Sequence, residues 1–493
     1  MAEPDATPYP IDHVHLSAAP DAPALLLRER TLTFAELEQE VGRLAAALEA
    51  FGLGRGARVA SWLPKTLVAC LLPLAAPRAG LVHVPVNPAL KRAQVAHILA
   101  DAGVALLVTQ ASRARQLASG DLPAACRLAL EDELGGDDAL PPSHADPNAL
   151  AALLYTSGST GRPKGVMLSN ANLWLGAVSV AHFLTLGSDD RVLGVLPFAF
   201  DYGQNQLFSS WRAGACVAPL DYLLPRDVLR AVERIGITTL AGVPPLWTQL
   251  TTLHWGSAGA SVRRVTNSGG PLTAALIQRL RAVFPHTDVY PMYGLTEAFR
   301  ATYLPPNLVV AHPTSIGRAI PFAEVMVVGR DGEATSEGEL VQAGPLVAQG
   351  YWHDAERTAA RFRPAPAWSR TGGIAVWSGD RVRRDDDGLL YWLGRDDELI
   401  KTSGHRVSPW EVEEAAVASG EAQEAVALGV ADQALGQAIR LVVGGPGDDA
   451  AMLAWLRREL PGHLQPREIV RHDALPRNVN GKLDRAALRA AYP

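Results

Sequence analysis

Leu153-Leu-Tyr-Thr-Ser-Gly-Ser-Thr-Gly-Arg-Pro-Lys-Gly165 is the stretch on which the reading of this chain turns. Ala149 to Tyr155 is an apolar run short enough for a buried strand, and it breaks into a hydroxyl- and glycine-rich loop that ends on a lysine. A strand feeding a phosphate loop has this form. Gly158 and Gly161 let backbone N–H groups turn toward an anion, Thr156, Ser157, Ser159 and Thr160 add hydroxyl donors, and Lys164 supplies a point charge. The Gly-x-x-x-x-Gly-Lys-[Ser/Thr] spacing of a Walker A loop is absent. Taken alone, the same residues also suit an ordinary surface loop, since Ser, Thr and Gly are what loops are made of.

Outward from this stretch the chain reads as α/β. A strand at Ala24 to Arg28, a helix after Thr33 opened by a Thr33-x-x-Glu36 capping box, and a strand at Arg58 to Ser61 alternate in the first hundred residues. Gly52, Gly54 and Gly56 follow a helix and precede a strand, the reverse of a dinucleotide fingerprint, and read as a turn. The Pro-rich, acidic patch Glu131 to Pro147 reads as a loop that delivers the chain to the Ala149 strand. Farther on, apolar runs end in Asp201-Tyr-Gly203, Val243-Pro-Pro-Leu-Trp247 and Asn267-Ser-Gly-Gly-Pro271. Strands that end in Gly, Pro and Asn loops predict a ligand site at the carboxyl edge of a mostly parallel sheet.

The composition sets limits on function. A chain of 493 residues, 48% hydrophobic and with a net charge of -6, can bury a large core and more than one domain, and it gives no reason to expect nucleic acid as partner. Cys70, Cys126 and Cys216 form no metal or disulfide pattern and are expected to be buried small hydrophobes in a reducing compartment. Met1 to Leu16 lacks the basic start and apolar run of a signal peptide, and Leu67 to Ala76 is too short to span a bilayer and is interrupted by Pro73. A cytoplasmic protein with no membrane span is expected.

Thr156-Ser-Gly-Ser-Thr-Gly-Arg-Pro-Lys-Gly165 resembles the phosphate loop of the adenylate-forming superfamily: acyl-CoA synthetases, aryl and luciferase-like ligases, and the adenylation domains of nonribosomal peptide synthetases. Further matches follow in family order. They are Ser268-Gly-Gly-Pro271, Tyr290-Pro-Met-Tyr-Gly-Leu-Thr-Glu-Ala298, Val376-Trp-Ser-Gly-Asp380, Leu393-Gly-Arg-Asp396 and Asn478-Val-Asn-Gly-Lys482. Ser378 stands where the family usually has threonine. In finer detail Leu220-Asp-Tyr-Leu-Leu-Pro-Arg-Asp227 and Ile400 to Pro409 resemble the exosortase-associated AMP-forming acyl-CoA ligases.

The resemblance implies an N-terminal adenylation domain over residues 1–394, built on mostly parallel sheets with helices, and a small mobile α/β domain over 395–493. It implies ATP and Mg2+ as cofactors, and a phosphopantetheine thiol of CoA or of a separate carrier protein as acceptor. By family position Gly269 and Gly270 wall the adenine, Tyr293 lies against it, and Asp380 accepts the ribose hydroxyls. Arg395 contacts the nucleotide, Asp396 is the hinge, Thr296 meets the phosphates, Glu297 holds the metal, and Lys482 enters the site from the C-terminal domain. Two steps follow: an acid carboxylate attacks the α-phosphate, and a thiol then attacks the acyl-adenylate.

The acid pocket implied by the same alignment is lined by Asp201, Tyr202, Asn205, Gly242, Met292, Arg300 and Ala301. Asp201 occupies the position at which amino-acid-activating members bind the substrate ammonium, so an amino acid is expected. Two alternatives stay open. Arg300 either pairs with Asp201, which would suit a fatty or aryl acid, or stands free and holds a second carboxylate. Asp201 could also simply cap the helix that follows it. A non-catalytic nucleotide-binding protein on the same fold would be marked by loss of Lys482 or Glu297, and both are present.

Overall fold

The computed structural model describes residues 3–156, 163–395, 399–402, 405–432, 435–479 and 481–492. Two large sheets carry the first four hundred residues. In the six-stranded one, Arg58–Trp62, Val82–Pro85, Val104–Thr109, Arg127–Leu130 and Leu150–Thr156 run parallel. Lys164–Ser169 then folds back antiparallel on Leu150–Thr156, with Thr156 opposite Lys164. The lysine expected to end a loop is therefore the first residue of a strand, and the ladder fixes its position.

The larger sheet has two limbs. Pro23–Leu26, Cys216–Pro219, Arg191–Gly194, Thr239–Gly242, Arg264–Asn267 and Asp288–Tyr293 are parallel neighbours. Beyond Asp288–Tyr293 the sheet continues antiparallel through Thr302–Tyr303, Ser315–Ala319, Leu390–Arg395, Ile374–Arg384, Glu337–Ala343 and Glu324–Val328. The parallel limb sends four consecutive strand ends, at 194, 242, 267 and 293, to one edge. That edge is where a doubly wound sheet binds ligands.

Local chemistry accounts for the entry points. Thr33 opens the helix Phe34–Glu49 with the expected reciprocal box, Glu36 accepting from Thr33 N at 2.8 Å and Thr33 accepting from Glu36 N at 3.2 Å. The apolar stretch at Leu67 is a helix, Leu67–Arg78, that runs on through Pro73 and is buried almost all round. Among the described residues no helix is long and apolar enough to cross a membrane. Cys70 and Cys216 are buried and Cys126 is half-buried, all as free thiols.

A third sheet is built from Ile400–Thr402, His405–Val407, Gly436–Gly444, Glu424–Asp432 and Glu468–His472. Alternate residues of Glu424–Asp432 face opposite ways. Ala425 and Ala427 pack on Val412, Ala416, Met452 and Leu456 of two helices, while Val426 and Leu428 pack on Leu488 of a third. This sheet has its own core.

One close approach fixes the start of the helix that carries Asp201. The helix Asp201–Arg212 begins so near the preceding turn that a Cβ on Gly203 would lie 2.1 Å from the Pro197 carbonyl oxygen. Gly203→Ala is therefore expected to lower stability by at least about 1–3 kcal/mol, the usual cost of overpacking. Urea unfolding checks it, and an unchanged midpoint would contradict the tight pass.

Candidate active site

Lys164, Tyr351 and Arg361 converge on Glu297. It lies in the 3-10 turn Thr296–Ala298, just after the strand Asp288–Tyr293, and is buried. Lys164 Nζ is 3.2 Å from Glu297 Oε1 and donates to Tyr351 Oη at 2.6 Å, while Tyr351 Oη donates to Glu297 Oε1 at 2.6 Å. The ammonium also sits 4.0 Å from the centre of the Tyr351 ring. Burial pushes the Glu297 carboxyl up, but Lys164, Arg361 and the Tyr351 hydroxyl outweigh it and hold the group below its ordinary value. Burial likewise draws the Lys164 ammonium down, partly offset by Glu297.

Sequence reasoning missed Tyr351 and Arg361. Tyr351 follows Gly350, whose φ of +127° only glycine adopts readily, and pairs with Val166 in an isolated bridge. An aromatic placed directly after such a glycine was the available signal. Arg361 ends the helix Ala355–Arg361 and offered none. Its charge reaches both Glu297 and Asp380.

Asp380 and Arg395, expected on the nucleotide side, lie on the antiparallel limb. Asp380 lies opposite Arg395 in the ladder, accepts from Tyr293 Oη through Oδ2, and accepts from Trp392 Nε1 at 3.3 Å through Oδ1. Burial pushes its carboxyl up, with Arg395 opposing. Ser378, the departure from threonine, accepts from Asp380 N at 3.0 Å and donates to Leu340 O at 2.6 Å, so its hydroxyl does the positioning that the site needs. Thr156 Oγ1 is buried without a partner at the end of the strand facing Lys164. An orphaned donor beside a lysine fits an incoming phosphate oxygen. Ser157, Gly158, Ser159, Thr160, Gly161 and the hinge candidate Asp396 lie outside the described residues.

Lys482 reaches this edge from the third sheet. Asn478 Oδ1 accepts from Lys482 N at 3.1 Å, and Asn87 donates to Val479 O at 3.1 Å, tying the loop to the first sheet. The side chain then passes Gly269, where a Cβ would lie 2.7 Å from Lys482 Cε. Gly269 also has φ +81°, so two independent constraints exclude a side chain there. The ammonium ends 4.9 Å from the centre of the Phe200 ring. Burial holds its pKa below the ordinary value, opposed by Asp201 and reinforced by Arg300. Gly270 packs against Pro244.

The predicted acid-pocket residues come together. Asp201 is the first residue of its helix and does not cap it: Phe200 holds the cap position, without a side-chain bond. The carboxylate is buried, and burial pushes its pKa up against the fields of Arg300 and Lys482. Arg300 is 2% exposed, donates through Nη1 to Ser268 Oγ at 2.7 Å, and lies 4.7 Å above the Tyr202 ring. No ion pair joins Arg300 to Asp201. Tyr202 Oη bonds Thr266 Oγ1, Asn205 Nδ2 is buried without a partner, and Met292 and Ala301 are buried on neighbouring backbone. Gly242 has the Trp247 ring within 2.7 Å of where its Cβ would be, so the tryptophan closes that wall. Next to the Lys482 loop a cavity of about 330 Å³ is lined by Asn87, Phe198, Tyr222, Arg477, Val479 and Gly481, among others.

Residues 13–352 match the family model described as AMP-binding enzyme, and residues 411–482 match the AMP-binding enzyme C-terminal domain. The chain belongs to the AMP-binding enzyme family. It is an AMP-forming acid–thiol ligase of the adenylate-forming superfamily, and its α/β fold with large mixed sheets is that of the superfamily. The chain is 32% identical to a feruloyl-CoA synthase from Amycolatopsis sp over 505 residues, covering 98% of both chains. It is 33% identical to an L-proline--[L-prolyl-carrier protein] ligase from Streptomyces coelicolor, covering 92% of this chain and 91% of that one. Tyrocidine synthase 3 from Brevibacillus parabrevis is 30% identical, and the chain spans 8% of its length. ATP-bound MatB from Rhodopseudomonas palustris superposes with a TM-score of 0.88 at 27% identity, covering 99% of each chain.

Two depressed lysines at the reacting edge give this AMP-binding enzyme a pH signature. In the phosphate-facing roles expected of them each ammonium must be charged, and burial lowers both below the ordinary 10.5. Activity is therefore full below the depressed values and falls as pH rises through them. The kcat/KM of ATP–pyrophosphate exchange, which reports the free enzyme, is expected to show an alkaline limb below 10.5. A profile flat to that pH would contradict the placement of both lysines.

Proposed function

We propose that the chain activates an amino acid as its aminoacyl-adenylate and passes it to a phosphopantetheine thiol of CoA or a carrier protein. The observation that carries the choice of acid is Asp201, a buried carboxylate without an ion-pair partner, near Lys482 on the pocket edge. A buried anion is costly unless a cation meets it. A substrate ammonium is such a cation. The alternative of a plain fatty or aryl acid needs Arg300 to neutralise Asp201 in a direct pair, and the two make none.

In the first step the acid carboxylate oxygen bonds to the α-phosphorus and the bridge to the β-phosphate breaks, releasing pyrophosphate. In the second the thiol sulfur bonds to the acyl carbon, AMP leaves, and the thiol proton passes to solvent. Carboxylate and polyphosphate repel, so the first step depends on preorganised cations. Lys482 is assigned to the reacting carboxylate and α-phosphate, Lys164 with Thr296 and Thr156 to the outer phosphates, Asp380 and Arg395 to the ribose side, and Tyr293, Gly269 and Gly270 to the adenine.

The described residues hold no cluster of three or more metal-binding side chains. A magnesium ion needs only one or two carboxylates when phosphates and water complete its shell. Glu297, kept ionised by Lys164 and Arg361, fits that requirement. When bound, the ion would neutralise phosphate charge.

The thiol must then reach the carbon that Lys482 faces. Arg477, Val479 and Gly481 wall the cavity next to the site, and we assign residues 395–493 to a mobile domain turning at Asp396 and residues 1–394 to the adenylation domain. Two substitutions separate the steps. Lys482→Ala is expected to cut acid-dependent ATP–pyrophosphate exchange by about a hundredfold or more while sparing thioester formation from supplied acyl-adenylate. Equal loss in both assays would overturn the role. Asp396→Pro fixes φ at the turning residue and is expected to keep exchange and lose thioester formation; full turnover would move the hinge elsewhere.

A further inference from the structure

Arg300 has no role in the chemistry described so far, yet it is among the most buried large side chains of the protein. A guanidinium offers five N–H donors and cannot shed its charge. Here Nη1 meets one neutral hydroxyl, Ser268 Oγ, the plane rests on the Tyr202 ring, and Nε is buried without any partner. Asp201 feels Arg300 through space but makes no ion pair with it. The stacked ring and the Ser268 bond hold the fork where it is. The pocket thus keeps one anion and one cation side by side without letting them close on each other.

We propose that the acid carries a second carboxylate and that Arg300 receives it, so that the substrate is a short acidic amino acid. The inference rests on the amino-acid reading of Asp201. With substrate in place, Lys482 is matched by the α-phosphate and the reacting carboxylate, and Asp201 is matched by the ammonium. Arg300 then remains as an unmatched buried cation. A neutral side chain would leave it so, whereas a carboxylate would satisfy the charge and meet the fork geometry through Nε and the second terminal nitrogen. Length is limited as well. The Trp247 ring occupies the space that opens over Gly242 in the absence of a side chain. A side chain of one or two methylenes ending in an anion is the length expected on this reading.

The test is ATP–pyrophosphate exchange with wild-type enzyme and six acids: aspartate, glutamate, asparagine, alanine, succinate and glutarate. Aspartate or glutamate is expected to lead, with kcat/KM about a hundredfold or more above asparagine and alanine, since a site built to bind a group rejects analogues lacking it. In Arg300→Gln the KM for the leading acid is expected to rise about a hundredfold with discrimination against asparagine lost, and Arg300→Lys is expected to recover part of it. A merely structural arginine would lower stability or kcat for every acid alike. Alanine or asparagine matching aspartate would overturn the Arg300 assignment and leave the ammonium reading standing. Succinate or glutarate matching the amino acids would sustain Arg300 and overturn the ammonium reading. A KM for the leading acid unmoved by Arg300→Gln also overturns the proposal.

Discussion

A lysine stem threaded past a bare backbone holds the small C-terminal sheet to the edge of the large one. Lys482 passes so close to Gly269 that no Cβ fits, and the loop that carries it is tied back by Asn87 to Val479. Everything else at the edge is arranged around the point that this ammonium reaches. Phe200 lies beneath it, Asp201 faces it, and Glu297 with Lys164 stands on the phosphate side. A free ammonium could not be kept in so apolar a place without those neighbours, because burial alone drives it toward neutrality.

The site is a spaced array of charges, and the spacing is structural. A bend at Phe299, whose φ of +62° is costly for an aromatic residue, separates Glu297 from Arg300. Its ring is accommodated because Gly176 has no side chain: a Cβ there would sit 2.5 Å from Phe299 Cζ. Gly294 allows the returning backbone of Arg300 to approach in the same way. The bend thus lets one short turn supply an anion to the phosphate side and a cation to the acid side. On the nucleotide side Arg361 and Arg395 offset the buried Asp380, and on the acid side Arg300 and Lys482 offset Asp201. Glu297 meets Lys164 and the Tyr351 hydroxyl directly, whereas Asp201 is balanced through space, which leaves room for a ligand to complete its shell.

Much of this was legible in the sequence because the chemistry sits in contiguous strings. The strand before Thr156 and the Thr33 capping box follow from local patterning. What escaped was set by tertiary contact. Tyr351 reaches Glu297 from a segment marked only by the glycine before it, Arg361 from one with no local signature, and Trp247 closes the Gly242 wall from the next helix. The family resemblance assigns the glycines of Ser268-Gly-Gly-Pro271 to the adenine, and the passing Lys482 stem is a separate reason for Gly269 that only the packing reveals. Whether Asp201 capped its helix or met Arg300 was undecidable from spacing. A ring and a hydroxyl that hold Arg300 elsewhere decided it.

The account stands on attack at the α-phosphorus, and isotope transfer tests that most directly. Amino acid labelled with oxygen-18 in its reacting carboxylate is turned over with ATP and thiol, and the AMP and phosphate products are analysed by mass. One labelled oxygen in the AMP phosphate is the result this geometry predicts. Label in orthophosphate with ADP as co-product would mean attack at the terminal phosphate, and would contradict the role given to Lys482 and the edge built around it.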